Sequence, residues 1–82
     1  MMTIAVFRSR TQLFSFVQSL RARGIQPNIV STPQEAGVGC GLSAEFPDRA
    51  FSLAQILARA NDGFVGFYKY YGDKRKRLVK LL

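Results

Sequence analysis

A chain of 82 residues with 48% hydrophobic side chains is long enough for one small domain with a modest core. It has one cysteine and no histidine, which excludes a Cys-His nucleophile pair, a serine triad with a histidine base, an intramolecular disulfide and a zinc site of Cys and His ligands. The net charge is +7, of which residues 73–82 contribute +4 and the first 72 residues +3.

The first predicted elements are a strand, a helix and a second strand. Residues 3–7 form a compact β-rich run. Ser9 with Gln12 three residues later is typical of a capping box, and the apolar side chains that follow recur at helical spacing. A second strand is predicted over residues 25–31, and Pro27 within it indicates a strand at the edge of a sheet.

After a glycine-rich loop, the second half of the chain is also predicted to form a strand, a helix and a strand. Apolar and polar side chains alternate over residues 42–46, which predicts a half-buried strand of an antiparallel sheet. Pro47 and Asp48 begin a second helix, with Asp48 as the expected N-cap. Residues 64–71 are rich in aromatic side chains and form a fourth predicted strand.

The order βαββαβ predicts an α+β, ferredoxin-like fold with a four-stranded antiparallel sheet and two helices on one face. Right-handed crossovers then give the strand order 4-1-3-2, in which the second strand is at an edge. We expect residues 1–72 to form this single domain and residues 73–82 to form a basic C-terminal tail.

The lone cysteine, Cys40, lies between Gly39 and Gly41 at the start of the third predicted strand. The predicted topology places it beside the end of the first strand and the N-terminus of the first helix, near Arg8, Ser9 and Arg10. A helix N-terminus and guanidinium groups favour a thiolate, and the glycines form a plausible anion-binding nest. The alternative is that Cys40 is a small hydrophobic side chain of the core.

Three short segments resemble the Se/S carrier protein-like family of small bacterial proteins. They are residues 31–35 (Ser-Thr-Pro-Gln-Glu), 40–42 (Cys-Gly-Leu) and 46–47 (Phe-Pro). The resemblance implies a carrier of sulfur or selenium, as a persulfide or selenopersulfide on Cys40, rather than a turnover enzyme. It implies Gly41 as the flank of Cys40, a donor and an acceptor protein as partners, and no cofactor.

Thr32 and Pro33 would shape the loop in this family, although a threonine before a proline also has a plain structural role in a turn. The chain departs from the family pattern at Gln34, where a basic residue is expected. It also departs at residues 38–39, where Val-Gly replaces a serine-rich approach to the cysteine.

A second interpretation is a small basic binding module in which Cys40 is structural. Its partner would be RNA or an acidic protein, contacted by Lys74, Arg75, Lys76 and Arg77 of the tail. Core packing together with a dimer contact explains the aromatic side chains of the fourth strand better than stacking on RNA bases does. A second copy of the chain, forming a homodimer, is therefore a further candidate partner. No signal peptide or membrane span is predicted, and we expect a cytoplasmic protein with a reduced thiol.

Overall fold

The computed structural model describes residues 2–37, 39–71 and 77–81, which form five strands and two helices. In chain order these are β1 (Met2–Phe7), α1 (Arg10–Ala22), β2 (Asn28–Ser31), β3 (Leu42–Pro47), α2 (Phe51–Arg59), β4 (Phe64–Tyr71) and β5 (Arg77–Leu81). Two short 3-10 turns, Gln34–Ala36 and Asp48–Ala50, precede β3 and α2 respectively.

The five strands form one antiparallel sheet in the order β2-β3-β1-β4-β5. The prediction of four strands is wrong, because Arg77–Leu81, assigned to the basic tail, pairs with β4 from Tyr71↔Arg77 to Phe67↔Leu81. The extra strand gives β4 a second neighbour, and Leu81 packs against the core. The fold is therefore α+β, with a five-stranded antiparallel sheet and two helices.

Both helices cover the same face of the sheet, where they share one hydrophobic core. Phe7 is fully buried in this core, with its ring centroid 4.9 Å from that of Phe16 and 5.5 Å from that of Phe64. The buried members of the core are Ala5 and Phe7 of β1; Leu13, Phe16, Val17 and Leu20 of α1; Ile25 between α1 and β2; Ala44 and Phe46 of β3; Ala50, Ala54 and Ala58 of α2 and its preceding turn; and Phe67 of β4.

The opposite face of the sheet is also buried at its centre, although no helix of the described chain packs there. Ile4, Val6 and Tyr68 form a second cluster, against which Ala36 and Val65 pack. Ala36 belongs to the 3-10 turn between β2 and β3, so the loop that joins these strands folds over this face. Tyr68 is only 7% exposed and therefore presents no open ring for base stacking.

The predicted start of α1 is confirmed. The Ser9 Oγ accepts a hydrogen bond from the Gln12 backbone N–H at 3.2 Å and donates one to the Gln12 Oε1 at 3.1 Å. The local sequence therefore satisfies the exposed end of the helix without help from distant residues.

The predicted start of α2 is wrong, since Asp48 does not cap this helix. The N-cap of α2 is Ala50, which makes no side-chain cap hydrogen bond. The Asp48 carboxylate instead accepts a hydrogen bond from the Thr3 Oγ1 at 2.7 Å and pairs with the Lys69 ammonium. Burial alone raises the pKa of Asp48, but the hydrogen bonds from Lys69 and Thr3 and the charge of Lys69 outweigh it and lower the pKa below its ordinary value.

The second strand is shorter than predicted. It begins at Asn28 rather than at residue 25, because Pro27 has no N–H to donate to a neighbouring strand. In the sheet β2 pairs with β3 and lies at the edge, as Pro27 indicated.

Candidate functional site

Cys40 lies at one end of the sheet, between the last residue of β1 and the first residue of β3. Its backbone N–H donates a hydrogen bond to the Phe7 carbonyl oxygen at 3.0 Å. One residue further on, the Gly41 carbonyl oxygen accepts a hydrogen bond from the Thr32 N–H at 2.9 Å. The backbone around the cysteine is thus tied to β1 on one side and to the end of β2 on the other.

The Cys40 thiol is half-buried and free. Its side chain packs against the edge of the helix-covered core, and the Sγ lies 3.4 Å from the Leu42 carbonyl oxygen, to which it donates a hydrogen bond. The thiol is therefore neither a fully buried core side chain nor a fully exposed one. Loss of the proton from this sulfur would remove its hydrogen bond to the Leu42 carbonyl oxygen.

The glycines beside Cys40 meet different surroundings. Gly39 has φ +117°, and a Cβ at this position would lie 2.9 Å from the Val6 Cγ1 and 3.0 Å from the Phe7 carbonyl oxygen. Gly41 has φ +90°, and a Cβ there would meet nothing within 4 Å. Gly39 therefore allows the loop to lie directly on β1, whereas Gly41 leaves open space on the other side of the cysteine.

Thr32 and Pro33 lie in the same loop and help to shape it. The hydroxyls of Thr32 and Ser43 are hydrogen-bonded at 2.7 Å, and Pro33 precedes the 3-10 turn. Ser43 is fully buried, and sequence reasoning missed it, although the alternation of β3 already placed it on the face away from the helices. A shallow depression of about 260 Å³ adjoins the loop, lined by Thr32, Pro33, Gln34, Gly37, Gly39 and Gly41.

Arg8, Ser9 and Arg10 follow directly on Phe7, the residue that holds the Cys40 backbone. Ser9 is engaged in capping α1, while both arginine side chains are exposed. The Arg8 backbone N–H donates to the Gly63 carbonyl oxygen at 2.7 Å, which ties the turn before β4 to the same end of the sheet. The sequence predicted an anion-binding nest of free backbone N–H groups around Cys40. The Cys40 N–H cannot contribute to it, because it donates to the Phe7 carbonyl oxygen.

The predicted tail contacts are only partly covered by the structure. Lys74, Arg75 and Lys76 lie outside the described residues, and Arg77 is the first residue of β5. Within the described part of the chain no three His, Cys, Asp or Glu side chains are grouped to hold a metal ion. Neither described helix has the length and apolar character needed to cross a membrane.

Residues 2–69 match the model of the family described as "Putative Se/S carrier protein-like". The match spans most of the chain, includes Cys40 and its loop, and ends before β5. Comparison with curated proteins and with solved structures gave no match. The chain therefore belongs to the Se/S carrier protein-like family.

Proposed function

We propose that this member of the Se/S carrier protein-like family carries sulfane sulfur or selenium on Cys40 between a donor protein and an acceptor protein. The observation that supports this role most is the position of the only thiol of the chain. It lies half-buried in a glycine-flanked loop that two backbone hydrogen bonds hold at the end of the sheet. A carrier needs such a sulfur, because it must be accessible to two partners and still be shielded while loaded.

The chemistry of this role needs no cofactor and no net oxidation. In loading, the Cys40 Sγ, as a thiolate, attacks the terminal sulfur of a donor persulfide. A new S–S bond forms on Cys40, the S–S bond of the donor breaks, and the donor cysteine leaves as a thiolate that takes up the proton lost by Cys40. In delivery, a nucleophile of the acceptor attacks the terminal sulfur, and Cys40 leaves. The same steps apply to selenium.

The surroundings of the thiol suit both steps. Gly41 is exposed and a Cβ there would meet nothing within 4 Å, so the residue that follows the cysteine presents no obstacle to a partner. The half-burial of Cys40 against the core edge limits the access of water and small oxidants to the loaded sulfur. The protein would thus act as a covalent carrier and not as a turnover enzyme.

The test is to incubate the native protein with a small-molecule persulfide donor and to measure the intact mass. We expect a gain of one sulfur atom that is removed by a reductant and is absent in Cys40→Ser, a variant that keeps the size of the side chain. Native alkylation of Cys40 should also proceed without denaturant. A thiol that forms no adduct and alkylates only after unfolding would remove this proposal.

The alternative of a basic binding module with a structural Cys40 rests on the net charge of +7. Stacking of RNA bases on the aromatic side chains of β4 is poorly supported, because Phe67 and Tyr68 are buried on opposite faces of the sheet. Salt-sensitive RNA binding that is unchanged in Cys40→Ser and is lost when Lys74, Arg75 and Lys76 are replaced by glutamine, which leaves β5 in place, would favour this alternative.

A further inference from the structure

We propose that the outer edge of β5 docks an extended, acidic segment of the protein that exchanges cargo with Cys40. The role of the partner as donor or acceptor rests on the proposed function, whereas the binding of an acidic strand to this edge does not. Four features of the described chain carry the proposal: the position of β5 in the sheet, the contrast with the other edge, the charge, and the contact between β5 and the loop of Cys40.

The first feature is that β5 is the outermost strand of the sheet. Within the described residues it pairs only with β4, and the register is regular from Tyr71↔Arg77 to Phe67↔Leu81. A regular edge without a proline or a bulge presents its backbone N–H and C=O groups in the pattern that an added strand requires.

The second feature is the contrast with β2, the strand at the other edge. β2 has four residues, follows directly on Pro27 and carries no charged side chain. A short edge next to a proline is poorly suited to pair with another chain. The two edges therefore differ, and only β5 combines a regular backbone with positively charged residues, Arg77 and Lys80.

The third feature is the positive charge of β5, which favours an acidic partner. β5 itself carries two positive residues, Arg77 and Lys80, and Lys80 is exposed on the face away from the helices. The Lys80 stem lies across β4, with its Cε 2.9 Å from the position that a Cβ on Gly66 would occupy. Pairing between two copies of β5 would bring like charges together, so a second copy is disfavoured and an acidic strand is favoured.

The fourth feature connects this edge to the candidate site. β5 contacts the turn Gln34–Ala36, which is part of the loop that carries Cys40. Ala36 in turn packs on Ile4, Val6 and Tyr68. A strand added beside β5 would therefore lie one strand away from the turn Gln34–Ala36, which ends four residues before Cys40 in the same loop.

The experiment uses the full chain labelled with 15N and a short synthetic peptide of alternating glutamate and valine, blocked at both ends. We expect amide resonance shifts at residues 77–81 and 34–36 on titration at low salt. A peptide of the same sequence with alternate backbone nitrogens methylated keeps its charge but cannot form the ladder. We expect it to bind on the order of tenfold more weakly.

Two protein variants complete the design. Lys80→Glu should weaken peptide binding several-fold, because it reverses one of the two positive charges of β5 and so lowers the attraction of this part of the sheet for an acidic strand. Cys40→Ser should bind the peptide like the wild type. If the protein binds the peptide but gains no sulfur, the carrier function is refuted and the docking edge is not. If it gains sulfur but does not bind the peptide, the docking edge is refuted and the carrier function is not.

Other results overturn the proposal directly. Equal affinity for the methylated and unmethylated peptides would show simple charge attraction without strand addition. Shifts confined to residues away from β5 would place the binding elsewhere. A single-stranded oligouridylate that shifts the same residues and displaces the peptide at equal charge would make this edge a nucleic-acid contact.

Discussion

The two ends of the sheet are held together by different interactions. At the end where β1 stops, the loop of Cys40 is fixed by backbone hydrogen bonds from Cys40 to Phe7 and from Thr32 to Gly41. At the end where β1 starts, three side chains from three parts of the chain meet, as Thr3 and Lys69 bind the Asp48 carboxylate. Backbone hydrogen bonds thus fix the loop of Cys40, whereas an ion pair and a side-chain hydrogen bond join the elements at the opposite end.

The largest expected effect is at Gly39, where a side chain would break the contact between the loop and β1. In Gly39→Ala the new Cβ meets the Val6 Cγ1 and the Phe7 carbonyl oxygen in a backbone conformation with positive φ. Strain and overpacking together should lower the free energy of unfolding by about 3 kcal/mol, measured by urea denaturation.

Gly37→Ala is the matched control for this variant. Gly37 also has a positive φ, of +73°, but a Cβ there meets nothing within 4 Å. Only the backbone strain remains, so we expect a loss of about 1 kcal/mol. Equal losses for the two variants would show that the contact with β1 does not hold the loop.

The next effect, at the opposite end, is the loss of charge in Asp48→Asn. Asparagine keeps an oxygen for the Thr3 hydroxyl but removes the ion pair with Lys69. Because this pair is partly exposed to solvent, we expect a loss of about 1 kcal/mol at neutral pH, measured by denaturant unfolding.

The pH dependence of this difference follows from the lowered pKa of Asp48 in the folded protein. A carboxyl group that is more acidic when folded stabilises the fold above its unfolded pKa, and this stabilisation is lost as the pH falls through the folded value. The wild type and Asp48→Asn should therefore converge in stability in acid. A constant difference from neutral pH into acid would argue against the ion pair as its source.

A comparable or smaller loss is expected for Ser9→Ala, which removes the cap of α1 beside the Cys40 loop. The Gln12 N–H loses its acceptor, and the free energy of unfolding should fall by up to about 1 kcal/mol. Ser9→Asp should restore most of this stability, because aspartate is also a good N-cap. A failure of aspartate to rescue the alanine variant would show that the hydroxyl acts through another contact.

The smallest expected effect is that of salt. At about 1 M sodium chloride the Debye length falls to about 3 Å. The difference between the wild type and Asp48→Asn should then shrink by a few tenths of a kcal/mol. The loss in Gly39→Ala is steric and should not change. If salt changed the stability loss of both variants by a similar amount, the ion pair could not be what distinguishes the Asp48 end of the sheet from the Cys40 end.

Several features were accessible from the sequence because they depend on neighbouring residues. The Ser9 cap of α1, the alternation over β3 and the edge position indicated by Pro27 all involve residues within a few positions of one another. The position of Cys40 next to the end of β1 followed from the order of the elements. Its role as a carrier remains a proposal.

Other features depended on residues far apart in the chain. Asp48 has the local pattern of an N-cap, but Thr3 lies 45 positions away and offers its carboxylate a stronger combination of partners together with Lys69. β5 was obscured by its basic side chains, which are typical of a solvated tail. Its strand conformation becomes favourable only when β4 offers an edge to pair with.

The sequence alone determined the α+β class, the single cysteine and its glycine neighbours, because composition and local pattern are sufficient for these. The tertiary structure decided the fifth strand, the partners of Asp48, and how deeply the Cys40 sulfur is buried. These depend on which surfaces meet after folding, and the free energy of such contacts cannot be read from residues that are neighbours only in sequence.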